Sequence, residues 1–412
     1  MESLYIIKRE SGIILIEKHW KKGIATHLIT QFYNNYLKNK PLEPIYNQYQ
    51  CLFLPILINE FIFLAVNEKE APPLMVIEFL YKIIEVLKLY IGDINEFNLK
   101  ENYVIIYQLL EEMIDYGFPL ITDSNNLRGI ITPPTMINKV ISKVTGVSNT
   151  HDKLLTGSLS NIAWRKNGIV YKSNEIYFDI VEEIDAILAN DGTIVSSEIH
   201  GSILANCRLS GMPDLTISFN RVDVIDDFSF HPCVRHDKFQ LNKILNFIPP
   251  DGQFKLMSYR TTLNSYQFIP ITITSKIHKV GEGGRFEIIM HPKFPQNKII
   301  ENILFGFKFN HQDINNIIAH PNIGTFMLDY QEQNLIWKIE KLNPKDKVPI
   351  LNGTYTSPNQ KELSGVGEIK FNITNLACSN LKIDSLKVIN ENYKPYKGVR
   401  ALTKAGSFQV RI

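Results

Sequence analysis

The sequence predicts two domains of different class, an α+β front followed by an all-β antiparallel sandwich. Three observations carry that reading. A chain of 412 residues exceeds what one ordinary core organises. Long helical periodicities are confined to its first third. From Asn161 onward, short strand-like runs alternate with turn residues, and no long amphipathic helix interrupts them.

In the front part, Leu4 to Ile7 and Ile13 to Ile16 flank Glu10-Ser11-Gly12, which predicts a hairpin. Leu28, Phe32 and Tyr36 recur at helical spacing. The run Cys51 to Val66 is the most apolar of the chain and is broken only by Asn59-Glu60. It is shorter than the roughly 20 apolar residues a membrane helix needs. Two buried strands with a tight turn at Asn59-Glu60 fit it better. Pro72-Pro73 then opens a long helix with Ile77, Leu80, Tyr81, Ile84 and Leu87 on one face. Asn98 with Glu101 has the spacing of a capping box. Tyr103, Ile106, Tyr107, Leu110 and Ile114 form the next stripe, ending at Gly117. A last pattern, Ile137, Val140, Ile141 and Val144, stops at Gly146.

Residues 147–160 are polar and lack a sustained period, so they read as a linker between a domain over 1–146 and a second over 161–412. In the second, Asp191-Gly192, Gly211-Met212-Pro213, Pro249-Pro250-Asp251-Gly252, Gly281 to Gly284 and Asn352-Gly353 serve as turn signals. Four cysteines without paired spacing point to a reducing compartment and free thiols. The first residues lack the basic and apolar regions of a secretory signal. A cytosolic protein is expected; if it works at a membrane, it docks there from the cytosol. A net charge of +2 gives no reason to make nucleic acid the main partner.

A search for catalysis finds no Walker A loop, no His-Glu-x-x-His and no Gly-x-Ser-x-Gly elbow. Gly281-Glu282-Gly283-Gly284 lacks the strand–turn–helix context of a nucleotide loop and reads as a hairpin turn. His231, Cys233 and His236 mimic metal ligands, but their spacing on an expected strand suits no standard zinc site. Glu182 and Glu183 point to opposite faces of a strand and cannot form one catalytic dyad; a half-solvated strand is the plainer account. Neither an enzyme nor a cofactor is expected.

Five segments of the second half carry a resemblance. They are Asn161 to Arg165, Asn174 to Asp179, Leu209 to Pro213, Phe228 to Arg235, and Phe247 to Arg260, the last with Pro249-Pro250-Asp251-Gly252 and Tyr259. In this order they resemble the medium (mu) subunits of clathrin-associated adaptor complexes. The front half resembles the longin-like domain of the same subunits, and the second half their mu homology domain. The ending Lys397 to Arg411, and Met212 to Thr216, resemble the medium subunit of adaptor complex 3 in particular. Medium subunits of the plasma-membrane and trans-Golgi clathrin adaptors carry a tryptophan where this chain has Gly398.

The resemblance implies a coat subunit with delta, beta and sigma partners. An Arf-type GTPase would recruit the complex to Golgi and endosomal membranes, for traffic to lysosome-like organelles. It also implies recognition of Tyr-x-x-Φ signals in cytosolic cargo tails, Φ being a bulky apolar residue, with the peptide extended along a sheet edge. By motif position, Asp179 accepts the hydrogen bond of the cargo phenol, Tyr177 packs on its ring and Arg400 stacks on it while pairing with the acid. Phe178, Ile383, Leu386 and Val399 fall where apolar pockets are lined. Taken alone, Tyr177, Phe178, Ile383 and Leu386 could equally be sandwich core, and Asp179 an exposed strand residue. Asn206 stands where several such subunits place a lysine beside the phenol. Together with Gly398, it makes an altered motif or a purely structural subunit the alternatives.

Overall fold

The computed structural model describes residues 1–134 except 22, 39, 69 and 132, and residues 162–412 except 163, 166, 263–268, 310–313, 330–332 and 358–362. The helix expected over 137–144 and the linker expected over 147–160 lie outside the described residues. The chain forms two compact units, Met1–Lys166 and Asn167–Ile412.

The first unit is built on a five-stranded sheet ordered β2-β1-β5-β4-β3. Its strands are β1 (Ser3–Lys8), β2 (Ile14–His19), β3 (Tyr46–Gln48), β4 (Cys51–Ile58) and β5 (Phe61–Asn67), all paired antiparallel. The apolar run is the β4–β5 hairpin, with Asn59 in the left-handed region at φ 54° in its turn. β5 is buried along its whole length because the sheet is covered on both faces, which explains a continuous apolar run in place of alternation. On one face, Tyr5, Ile7, Phe53, Ile62 and Leu64 pack against α1 (Thr26–Phe32) and the π-helical turn after it. The Phe32 and Phe53 rings stack there at 3.9 Å. On the other, Leu4, Ile6, Leu54, Phe61 and Phe63 meet α2 (Pro73–Ile91) and α4 (Tyr103–Met113).

Some details differ from the sequence expectation. α2 begins at Pro73 as read, and Leu80, Ile84 and Leu87 are buried, but Tyr81 is exposed and Ile77 only partly covered. Val76, Phe79, Ile83 and Tyr90 are buried instead, because α2 shares one core with both the sheet and α4 and so buries a wider face than a single stripe. The cap of α3 (Glu96–Glu101) is Asn95, whose side chain accepts the Asn98 N–H at 2.8 Å, so Asn98 lies inside the helix. In α4, Ile106 and Leu110 are buried while Tyr103 is exposed. Ile114 leaves the helix to open a two-stranded hairpin, β6 (Ile114–Asp115) and β7 (Phe118–Pro119), which turns at Gly117 with φ 89°. The short α5 (Ser124–Ile130) follows.

The second unit is β-rich. Its strands are β8 (Glu175–Leu188), β9 (Ile194–Arg208), β10 (Asp214–Phe219), β11 (Asp227–Phe230), β12 (Ile244–Phe247), β13 (Gly252–Thr262), β14 (Ile271–Val280), β15 (Gly283–Pro292), β16 (Ile300–Lys308), β17 (Asn315–Pro321), β18 (Thr325–Asp329), β19 (Asn334–Leu342), β20 (Ile350–Thr356), β21 (Val366–Thr374), β22 (Ile383–Ile389) and β23 (Tyr396–Arg411). Among the described residues they form a nine-stranded sheet, β11-β13-β9-β8-β23-β21-β16-β19-β18, a four-stranded sheet, β14-β15-β20-β17, and a three-stranded sheet, β12-β10-β22. The first two share one core around Trp337, Phe305 and Phe307.

The sandwich is antiparallel with one departure among the described strands: β8, the first, pairs parallel with β23, the last. No hairpin can join such a pair, so the rest of the unit acts as its crossover. Asn352-Gly353 is not a turn but the middle of β20. There the Phe286 ring lies 2.3 Å from where a Gly353 Cβ would stand, so the glycine serves close packing. The segment with His231, Cys233 and His236 is a turn leading into α6 (His236–Asn242), not a strand. Among the described residues no helix is long and apolar enough to cross a membrane.

Glu96 ties α3 to β1: its carboxylate lies 2.6 Å from Lys100 Nζ and 2.7 Å from Lys8 Nζ. The hydrogen bonds from Lys100 and then Lys8 pull its pKa down to about 2. A carboxylate depressed in the folded state stabilises above the unfolded pKa of about 4.5, and the effect fades as pH falls toward about 2. The melting temperature of the chain is therefore expected to drop across that window, with a smaller drop in Glu96→Gln. Identical acid limbs by scanning calorimetry contradict the assignment.

Candidate functional site

Strict alternation of burial along β8 hides Ile176, Phe178, Ile180 and Glu182, and turns Glu175, Tyr177, Asp179 and Glu183 to the opposite face. The parallel register sets Gly398 beside Tyr177, Val399 beside Phe178, Arg400 beside Asp179 and Ala401 beside Ile180. On the other side, β9 brings Asn206 opposite Tyr177 and Leu204 opposite Asp179.

Asp179 and Arg400, 221 positions apart in sequence, form a bidentate pair. Arg400 Nε donates to Asp179 Oδ1 at 2.8 Å and a terminal guanidinium nitrogen to Oδ2 at 2.9 Å. The bond to Asp179 raises the Arg400 pKa further above its ordinary value. The Tyr177 ring lies over Gly398, and its hydroxyl donates to Glu175 Oε2 at 3.1 Å. Burial, then the bond to Glu175, raises the phenol pKa. Tyr396 adds a second ring 5.8 Å from Tyr177 and is 63% exposed. Sequence reasoning passed over it, although its offset of two from Gly398 places it on the same strand face.

The apolar residues divide. Val399 is 48% exposed and, with Ile383, Ile180, Leu376 and Leu381, lines a groove of about 260 Å³ that Arg400 borders. Phe178 is fully buried on the inner face. Leu386 sits on β22 opposite Ile217 of β10, outside that groove's lining. Its carbonyl accepts a hydrogen bond from Lys397 Nζ, which bridges β22 to β23. Among the described residues, Tyr396 to Arg400 have β8 on one side and no strand on the other, since β21 joins β23 only from Leu402. That leaves an unpaired sheet edge, with an aromatic, an acid–base pair and an apolar groove beside it.

The metal-like triad does not converge on a site: His231 Nδ1 accepts the Cys233 N–H at 3.1 Å, and the His236 ring faces Phe228 and Phe230. Among the described residues no cluster of three or more His, Cys, Asp or Glu is placed to hold a metal ion.

The model of the adaptor complexes medium subunit family matches residues 162–412. AP-3 complex subunit mu-1 of Homo sapiens is 40% identical over 420 residues, and AP-3 complex subunit mu-2 of Rattus norvegicus 39% over 419, each covering 100% of both chains. The chain belongs to the adaptor complexes medium subunit family. Its place is thus that of a non-enzymatic medium subunit in vesicle trafficking. In fold, it is similar over its whole length to a chain in a homology model of the full-length AP-3 complex in an intermediate open conformation. That likeness has a TM-score of 0.60 at 18% identity and covers 99% of the other chain. A stretched open form of the same complex gives 0.54 at 16% identity.

A Cβ at position 398 would stand 2.5 Å from Tyr177 Cδ1, so in this adaptor subunit a larger residue there requires the Tyr177 ring to move. Gly398→Ala is expected to turn the Tyr177 ring away and break its bond to Glu175, so that the phenol pKa falls back toward its ordinary value. NMR titration of labelled tyrosines, with Tyr177→Phe to assign the signal, reads this directly. An unmoved Tyr177 resonance contradicts it.

Proposed function

We propose that the second unit reads Tyr-x-x-Φ signals in the cytosolic tails of membrane cargo. The observation that carries this is the Asp179–Arg400 pair beside Tyr177 on the open edge of β23. An extended peptide adds a strand along Tyr396 to Arg400, giving main-chain hydrogen bonds, while alternate side chains seek pockets. Its phenol donates to Asp179, and Arg400 covers the ring. The Φ side chain enters the groove of Val399 and Ile383. In this reading Phe178 supports the strand from the core, and Leu386 flanks the peptide from β22.

Asp179 distinguishes tyrosine from phenylalanine because only a phenol offsets the desolvation of its carboxylate with a hydrogen bond of its own. The exposed ion pair opens at little cost, since such pairs contribute roughly 0–1 kcal/mol. The partners in this reading are delta, beta and sigma adaptor subunits, supported by the full-length similarity to AP-3 subunits. Exposed Leu74, Tyr81, Phe97 and Phe118 give the first unit apolar surface for such contacts. An Arf-type GTPase recruits the assembly peripherally to Golgi and endosomal membranes, and cargo passes to lysosome-like organelles. No cofactor takes part.

Calorimetric titration of the full chain with a Tyr-x-x-Φ peptide is expected to give a Kd of about 1–100 μM, or ~5.5–8 kcal/mol. Asp179→Ala should cost about 1.5–3 kcal/mol, as for a hydrogen bond to a charged group. A tyrosine-to-phenylalanine peptide should lose a similar amount, and the two losses should not add. Arg400→Ala should cost less, roughly 0.5–2 kcal/mol. Unchanged affinity in a folded Asp179→Ala protein leaves a structural coat subunit as the better reading.

A further inference from the structure

Glu182 lies on β8 three residues after Asp179, on the inner face, and is 0% exposed. Its carboxylate is fully engaged. Tyr259 Oη donates to Oε1 at 2.6 Å, the Ser379 amide donates to Oε2 at 3.0 Å, and the Ser379 hydroxyl donates to Oε1. Tyr259 comes from β13 and crosses β9 at Gly201, where a Cβ would stand 2.0 Å from its ring. The register puts Thr403, also fully buried, next to Glu182. Thr403 Oγ1 donates to the Leu376 carbonyl at 2.9 Å and accepts the Cys378 N–H at 3.2 Å. The Asn375 amide completes the hold, donating to the Ala401 carbonyl at 2.8 Å.

The backbone this network grips lies in residues 375–381, of which Asn375, Leu376, Ala377 and Leu381 line the groove together with Val399 and Ile383, so the segment forms part of the groove wall. Among the described residues no cation pairs with Glu182, and a buried carboxylate without one is a costly group to keep when an apolar core would do. Fixing a backbone segment against two strands is a reason to keep it. We infer that Glu182 and Thr403 are positioning residues that clamp the 375–381 wall and so set which Φ side chain the groove accepts. The inference rests on the peptide-reading function proposed above.

Thr403→Val removes the hydroxyl at nearly constant shape, and Glu182→Gln replaces one acceptor oxygen by a donor. Both are made in the full chain. Cys378 reports on the wall without any peptide. Its thiol is buried, with its pKa pushed up to about 12 mainly by that burial, and Cys51, Cys207 and Cys233 are buried elsewhere as internal controls. Native-state alkylation read by mass spectrometry is expected to quicken at least ten-fold at Cys378 and to stay unchanged at the other three. The ratio of dissociation constants for Tyr-x-x-Leu and Tyr-x-x-Phe peptides should shift at least five-fold. The loss on replacing the peptide tyrosine by phenylalanine, which reports on Asp179, should remain as in the unmodified chain.

Equal acceleration at all four cysteines, or none at Cys378, overturns the clamp. So does a Leu-to-Phe ratio that stays fixed while the tyrosine dependence persists; that result leaves the peptide-reading function standing. An unmodified chain that binds neither peptide refutes that function and, with it, the selectivity role.

Discussion

The parallel pairing of β8 with β23 is the constraint on which the rest of the second unit depends. It joins the first and last strands of that unit in a register that sets Arg400 against Asp179, Gly398 against Tyr177 and Thr403 against Glu182. A slip of one residue would exchange the two faces of β23 and separate all three pairs at once. Because these strands stand at the two ends of the unit, with its other strands between them in sequence, the edge site exists only in the folded unit.

The two faces of that strand pair carry different chemistry for a physical reason. Outward, Asp179 and Arg400 are solvent-exposed, so their pairing is weak and reversible, which suits the proposed peptide site. Inward, Glu182 and Thr403 are dry, so every donor and acceptor must be matched, and the matching backbone belongs to the 375–381 segment, part of which lines the apolar groove. In the proposed function, recognition is soft at the acid–base pair while the shape of the apolar groove is held firmly.

Much of the fold was legible because its signals are local. The β4–β5 hairpin, the start of α2 at Pro73 and the turns at Asp191-Gly192 and Gly281 depend on short-range pattern and glycine conformation. The misread elements were those where tertiary packing overrules spacing. Asn352-Gly353 has turn composition, yet it sits mid-strand because Phe286 needs the space. Tyr81 matched a helical stripe but lies outside the face that α2 buries against the sheet and α4. Within the site, Tyr177, Asp179 and Arg400 came from motif resemblance, and the structure brings them together. The parallel strand, Tyr396 beside Tyr177 and the buried role of Glu182 depend on residues about 200 positions apart, which no single-sequence periodicity encodes.

In the proposed function, the edge of β23 from Tyr396 to Arg400 receives an added strand. Hydrogen–deuterium exchange of the full chain, with and without a saturating Tyr-x-x-Φ peptide, reads that strand addition segment by segment. New amide protection is expected to be confined to residues 396–400 and the part of β22 near Lys397, because a bound strand closes backbone groups that have no strand partner among the described residues. Binding with no added protection there, or with protection on another sheet, would contradict it.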